Sequence, residues 1–133
     1  MKEADITQAL TSAIEAAAFT QPIVWENQNA PDPLPETYLA VQHIRTLRPT
    51  SNLKGTKSRS EGYLQITVAG PKGKHVTPGE DVADLVSGAF PVGRRIASTG
   101  GIVTIRSSRV LSGFPDDVRW RVPVRIDYRA IPD

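Results

Sequence analysis

A chain of 133 residues, with 39% apolar and 23% charged side chains, is sized for one globular domain with a single core and is too short for two. Sixteen basic residues against fourteen acidic ones leave a charge of only +2, so the molecule as a whole is not a polycation and local placement of charge matters more. The lack of cysteine excludes disulfides, thiolate nucleophiles and cysteine-bound zinc, no run approaches the roughly 18 apolar residues of a membrane span, and MKEADITQ carries acids where a signal peptide would start cationic.

Residues 5–18, DITQALTSAIEAAA, set Ile6, Ala9, Leu10, Ala13, Ile14 and Ala17 at helical spacing in an alanine-rich background. This predicts a narrow-striped helix able to lie close to a sheet, closed by Phe19 and Pro22. PIVWEN, 22–27, reads as a short strand, and the proline-rich NAPDPLPE, 29–36, as a loop. TYLAVQHIRTLR, 37–48, is a long strand candidate with two mixed faces. The polar, aperiodic stretch 50–60 predicts a mobile loop, and the basic residues Arg45, Arg48, Lys54, Lys57 and Arg59 run across this region with no acid between them.

EGYLQITVAG, 61–70, is the next strand, with Tyr63, Gln65, Thr67 and Ala69 opposing Leu64, Ile66 and Val68. TPGEDVADLVSGAF, 77–90, predicts a helix opened by a Thr77–Glu80 capping box with Pro78 in its first turn. Its expected apolar stripe is Val82, Leu85, Val86 and Ala89, and Phe90–Pro91 ends it. Strands follow at 102–108 after the TGG turn, in a short RVLSG segment, and at 119–130 after the Asp116–Asp117 turn. In that last strand, RWRVPVRIDYRA, alternation puts Trp120, Val122, Val124, Ile126, Tyr128 and Ala130 on one wall. Arg119, Arg121, Arg125 and Arg129 stand on the other, with Pro123 and Asp127. The order of elements predicts one α+β domain over 1–133, a mostly antiparallel sheet with two helices packed on one face.

No enzyme signature emerges. His43 and His75 lack a third metal ligand at any zinc spacing and read as solvated or strand-surface histidines. Asp116–Asp117 reads as turn chemistry and Asp81 as a helix N-terminal charge. AGPKGK and STGGIV match neither a phosphate loop nor a dinucleotide fingerprint, and no GxSxG accompanies the serines. No cofactor or metal is expected. The basic residues lack interleaved aromatics, so base stacking has little to work with, and the charge reads either as a solvated face or as a contact surface for protein more than for DNA.

The succession of an N-terminal helix leading to PIVWEN, TYLAVQHI, a polar excursion, EGYLQITVAGPKG, EDVADLVSGAFPVG, IVTIRSSRV and WRVPVRIDYRA resembles the tail terminator and tail-completion proteins of long-tailed bacteriophages, prophages and phage-like particles. The resemblance runs from about residue 5 to 130, and its order carries it, since each motif alone is common. It implies a structural virion protein, assembled in the host cytoplasm, that forms a ring, typically of six subunits, on the head-proximal end of the tail tube. It further implies partners in the tube protein and the head connector or completion protein, and DNA passing through the lumen without sequence-specific binding. No catalytic residue is implied. Another neck component, or a small DNA-binding domain using the basic loop, are the alternative readings.

Within that frame Pro123 predicts that the final strand is an edge strand or carries a bulge. Arg119, Arg121, Arg125 and Arg129 then become a candidate subunit interface, meeting carboxylates of the next copy. Lys54, Lys57 and Arg59 become a candidate docking loop toward tube or connector.

Overall fold

The structure is a computed structural model, and it describes residues 1–47, 59–73, 75–116 and 118–133. Among the described residues nine elements follow one another: α1 (Glu3–Ala16), β1 (Ile23–Val24), β2 (Tyr38–Leu47), β3 (Ser60–Pro71), α2 (Thr77–Gly88), β4 (Arg95–Ser98), β5 (Gly101–Val110), β6 (Phe114–Asp116) and β7 (Arg119–Pro132). The α+β class stands. β4 and β6 were not expected; both are short, and neither carries an alternation long enough to read.

The strands form one curled, mixed sheet in the order β1-β2-β3-β7-β5-β4, with β6 also pairing β7. β1 runs parallel to β2, and the other ladders are antiparallel. The expectation that residues 119–130 form an edge strand is overturned. β7 sits in the middle, paired to β3 along one side and to β5 and then β6 along the other. Pro123 is tolerated there for a local reason. β5 ends opposite Val124 and β6 begins opposite Arg121, and Leu111 N donates to the Pro123 carbonyl at 2.8 Å. A residue's N and C=O point to the same side of a strand, so the missing donor of Pro123 falls at the junction between β5 and β6, where the ladder is interrupted anyway.

The core is one cluster. Ile6, Leu10 and Ile14 of α1 pack with Leu39, Leu64, Ile66, Val124 and Ile126 of the strands and with Ala83, Val86 and Phe90 from the second helical segment. α1 buries the predicted stripe, and Glu3 and Asp5 complement the positive end of its dipole. The helix stops through Ala18, which takes a left-handed φ of 52°.

α2 departs from expectation twice. Thr77 is already helical and Val76 precedes it in a helical conformation, so there is no side-chain cap and the capping box does not form. The stripe is also rotated: Ala83, Val86 and Phe90 are buried and Leu85 is 68% exposed. Gly79 and Ala83, one turn apart, face the sheet, and a Cβ at Gly79 would stand 3.6 Å from Val122 Cγ2; at 3.6 residues per turn Leu85 stands about 160° around the axis from Ala83.

Candidate assembly face

The alternation read in RWRVPVRIDYRA is present in space. Val122, Val124, Ile126, Tyr128 and Ala130 are buried, while Arg119, Arg121, Arg125 and Arg129 stand half-buried on the opposite side of the sheet. Register extends that surface across neighbouring strands: Glu61 faces Arg129, Tyr63 faces Asp127, Arg109 faces Arg125, and Asp116 faces Arg119.

The four arginines are held within the chain. Arg119 donates from Nη1 to the carbonyls of Pro35, at 2.8 Å, and Glu36, and lies over the Tyr38 ring at 5.3 Å. Arg121 donates from Nε to Asp116 at 2.6 Å and from Nη2 to the Tyr38 hydroxyl at 3.2 Å. Burial works against its charge, but those two bonds outweigh the loss and hold its pKa above the ordinary arginine value. Arg125 pairs with Asp127 at 3.1 Å and stacks over the Tyr63 ring at 3.9 Å, and Ser107 donates to the second Asp127 oxygen at 2.6 Å. Arg129 approaches Glu61 at 3.4 Å, a carboxylate that also accepts from Arg59 at 2.9 Å. Half-exposed pairs of this kind add at most about 1 kcal/mol each. Their effect is to fix four guanidinium groups in orientation.

Of the candidate docking loop, only Arg59 falls among the described residues, bonded to Glu61; Lys54 and Lys57 lie outside them, as do the rest of the stretch to 58 and Asp117. His75 is exposed. His43 corrects the surface reading. It shares the core-facing parity of Leu39 and Val41, where its ring accepts or donates to Thr7 Oγ1 at 3.1 Å and the Tyr128 hydroxyl at 2.5 Å. Arg45 extends the network by donating to Glu3 at 2.8 Å and Thr7 at 3.1 Å. Burial first, then the Arg45 charge, holds His43 below the usual histidine range; burial, then Glu3, pushes the Tyr128 hydroxyl up to about 12. The parity of His43 and Tyr128 on otherwise apolar walls was the available signal for this network. No group of three metal-ligating side chains occurs among the described residues.

The sequence matches the model of the phage tail terminator protein family over residues 5–128. The chain belongs to the phage tail terminator family. This terminator is accordingly a phage tail structural protein and a virion component, from a family of structural proteins and not of enzymes. A solved structure of a protein whose name states no function is similar at a TM-score of 0.79 and 23% identity, covering 98% of this terminator and 96% of its own chain. At that identity the likeness concerns the fold alone. No curated protein sequence matches. No helix among the described residues of the terminator is long and apolar enough to cross a membrane.

Proposed function

We propose that this protein caps the head-proximal end of a phage tail tube as a closed ring of six copies, ends tube polymerisation, and presents the surface that joins the head. The tube protein and the head connector or completion protein are its partners, and DNA passes through the ring without sequence-specific contacts. Family membership over nearly the whole chain is the observation that carries this reading. The face bearing Arg119, Arg121, Arg125 and Arg129 supports it: these side chains alternate along β7 with the buried Val122, Val124, Ile126 and Tyr128 and remain half-exposed, within reach of another copy. There carboxylates of the same chain fix Arg121, Arg125 and Arg129, the Pro35 and Glu36 carbonyls fix Arg119, and further donors are left for a neighbour. Lys54, Lys57 and Arg59 dock the ring on tube or connector.

Absolute mass by light scattering after size exclusion, across salt concentrations, tests the ring. A mass near six chains that falls at high salt is the expected result. Charge reversal at Arg121 and Arg125 should then abolish the oligomer while circular dichroism stays that of a folded monomer. An intact ring in that variant removes the arginine face from the interface.

A further inference from the structure

Two surfaces on opposite flanks of the sheet carry charges with no ion-pair partner among the described residues. The first is a cavity of ≈ 210 Å³ between α1 and the segment after β1. Leu10, Ile14, Val41 and Leu64 make its apolar floor, Trp25 lines one wall, and the exposed carboxylates of Glu15 and Glu26 stand at its rim. Glu26 accepts from the His43 backbone N–H, which leaves acceptor capacity on the carboxylate; Glu15 has no partner among the described residues. Pockets that hold drug-sized molecules occupy about 300–1,000 Å³. A smaller space with an apolar floor, an indole wall and two carboxylates suits a single long side chain with an apolar stem and a cationic head.

The second surface lies on the β4–β5 flank. Arg95, Arg106 and Arg109 are exposed there and have no ion-pair partner among the described residues, unlike the arginines of β7. The register of β5 against β7 jumps between Ile105 and Ser107, so Arg106 is the extra residue of a β-bulge. Bulges turn a side chain out of the regular alternation, and this one sends a guanidinium outward at a sheet margin.

We propose that the acid-rimmed cavity of one copy receives Arg106 of the next. This rests on the ring reading and names the contact that would propagate it. β2, which contributes Val41 and His43 to the cavity, is separated from β5 by β3 and β7. Three interstrand steps set the two surfaces about 14 Å apart, so each can engage a different neighbour, whereas a reciprocal pairing of the same two surfaces would stop at a dimer. Donor and acceptor surfaces on opposite flanks give a head-to-tail contact, the kind that repeats and closes into a ring.

The chain has no cysteine, so Glu15→Cys with Arg109→Cys introduces the only two thiols and leaves Arg106 and Glu26 in place to make the contact. Both positions are exposed, and neither substitution touches the core. With a short bis-maleimide linker the full-length double variant should give a ladder of covalent multimers on a denaturing gel; a control pair, Glu15→Cys with Leu34→Cys, should not. In parallel, Arg106→Glu and Glu15→Arg should each weaken self-association at least about tenfold by light scattering, and the two together should restore most of it. Multimers by mass with no ladder and no effect of the charge changes overturn the contact and leave the ring reading standing. Wild-type protein that stays monomeric at every concentration overturns both.

Discussion

Replacing Gly62 by alanine adds one methyl group where three atoms already stand. A Cβ at that position would lie 2.4 Å from the Ile44 carbonyl oxygen, 2.7 Å from the Tyr128 hydroxyl and 3.0 Å from Tyr128 Cζ. None of these neighbours is free to retreat. Gly62 is paired to Tyr128 in the β3–β7 ladder and to Arg45, the residue after Ile44, in the β2–β3 ladder. The Tyr128 hydroxyl is in turn bonded to His43. Overpacking a filled site costs about 1–3 kcal/mol, and loosening the Tyr128–His43 bond adds about 1 kcal/mol. The smaller entropy of an unfolded chain with alanine returns about 0.4–1 kcal/mol. The expected net loss is about 1–3.5 kcal/mol. Urea unfolding followed by tryptophan fluorescence measures it, as a midpoint lower by about 1–2 M at an unchanged slope. Gly70→Ala is the control, since nothing lies within 4 Å of a Cβ there. A Gly62→Ala loss below about 0.5 kcal/mol would refute the reasoning.

Ala18→Gly should stabilise the fold by about 0.5–1 kcal/mol in the same assay, because only Ala18 of the α1 terminus is held at positive φ. Leu85→Ser should change stability by less than about 0.5 kcal/mol, whereas Val86→Ala, one position along and fully buried, should cost about 1.5–3 kcal/mol. His43 titrates below its usual 6.5 in the folded protein, so the folded form binds fewer protons than the unfolded form as pH drops. Its contribution is therefore complete above pH 6.5 and is lost as pH falls through the folded pKa; thermal melts at stepped pH should show this slope, and His43→Gln should flatten it.

Much of the architecture was legible because burial imposes period. The α1 stripe appears as read, and the two walls of residues 119–130 fall on opposite sides of the sheet, since both depend only on which side of an element meets the core. What failed depended on neighbours that no local pattern announces. Pro123 suggests an edge when strand order is unknown, and it became central because its missing donor meets a break between two partner strands. Leu85 looked like core by hydropathy, but the small residues Gly79 and Ala83 face the sheet and leave Leu85 exposed. The arginine wall was visible as a row of charges; that each cation has a partner within the chain was not, because Glu36, Tyr38, Glu61 and Asp116 come from other strands and loops.

The central place of β7 has a consequence for how a subunit comes into being. In the finished sheet β1, β2 and β3 lie on one side of β7 and β4, β5 and β6 on the other, and among the described residues no ladder joins these groups except through β7. Residues 119–132, the last of these strands in chain order, are therefore the segment that joins the two halves of the sheet. The same closing segment delivers all four arginines of the candidate assembly face. A chain truncated before residue 119 thus has neither the strand that joins the two halves of the sheet nor the arginine surface.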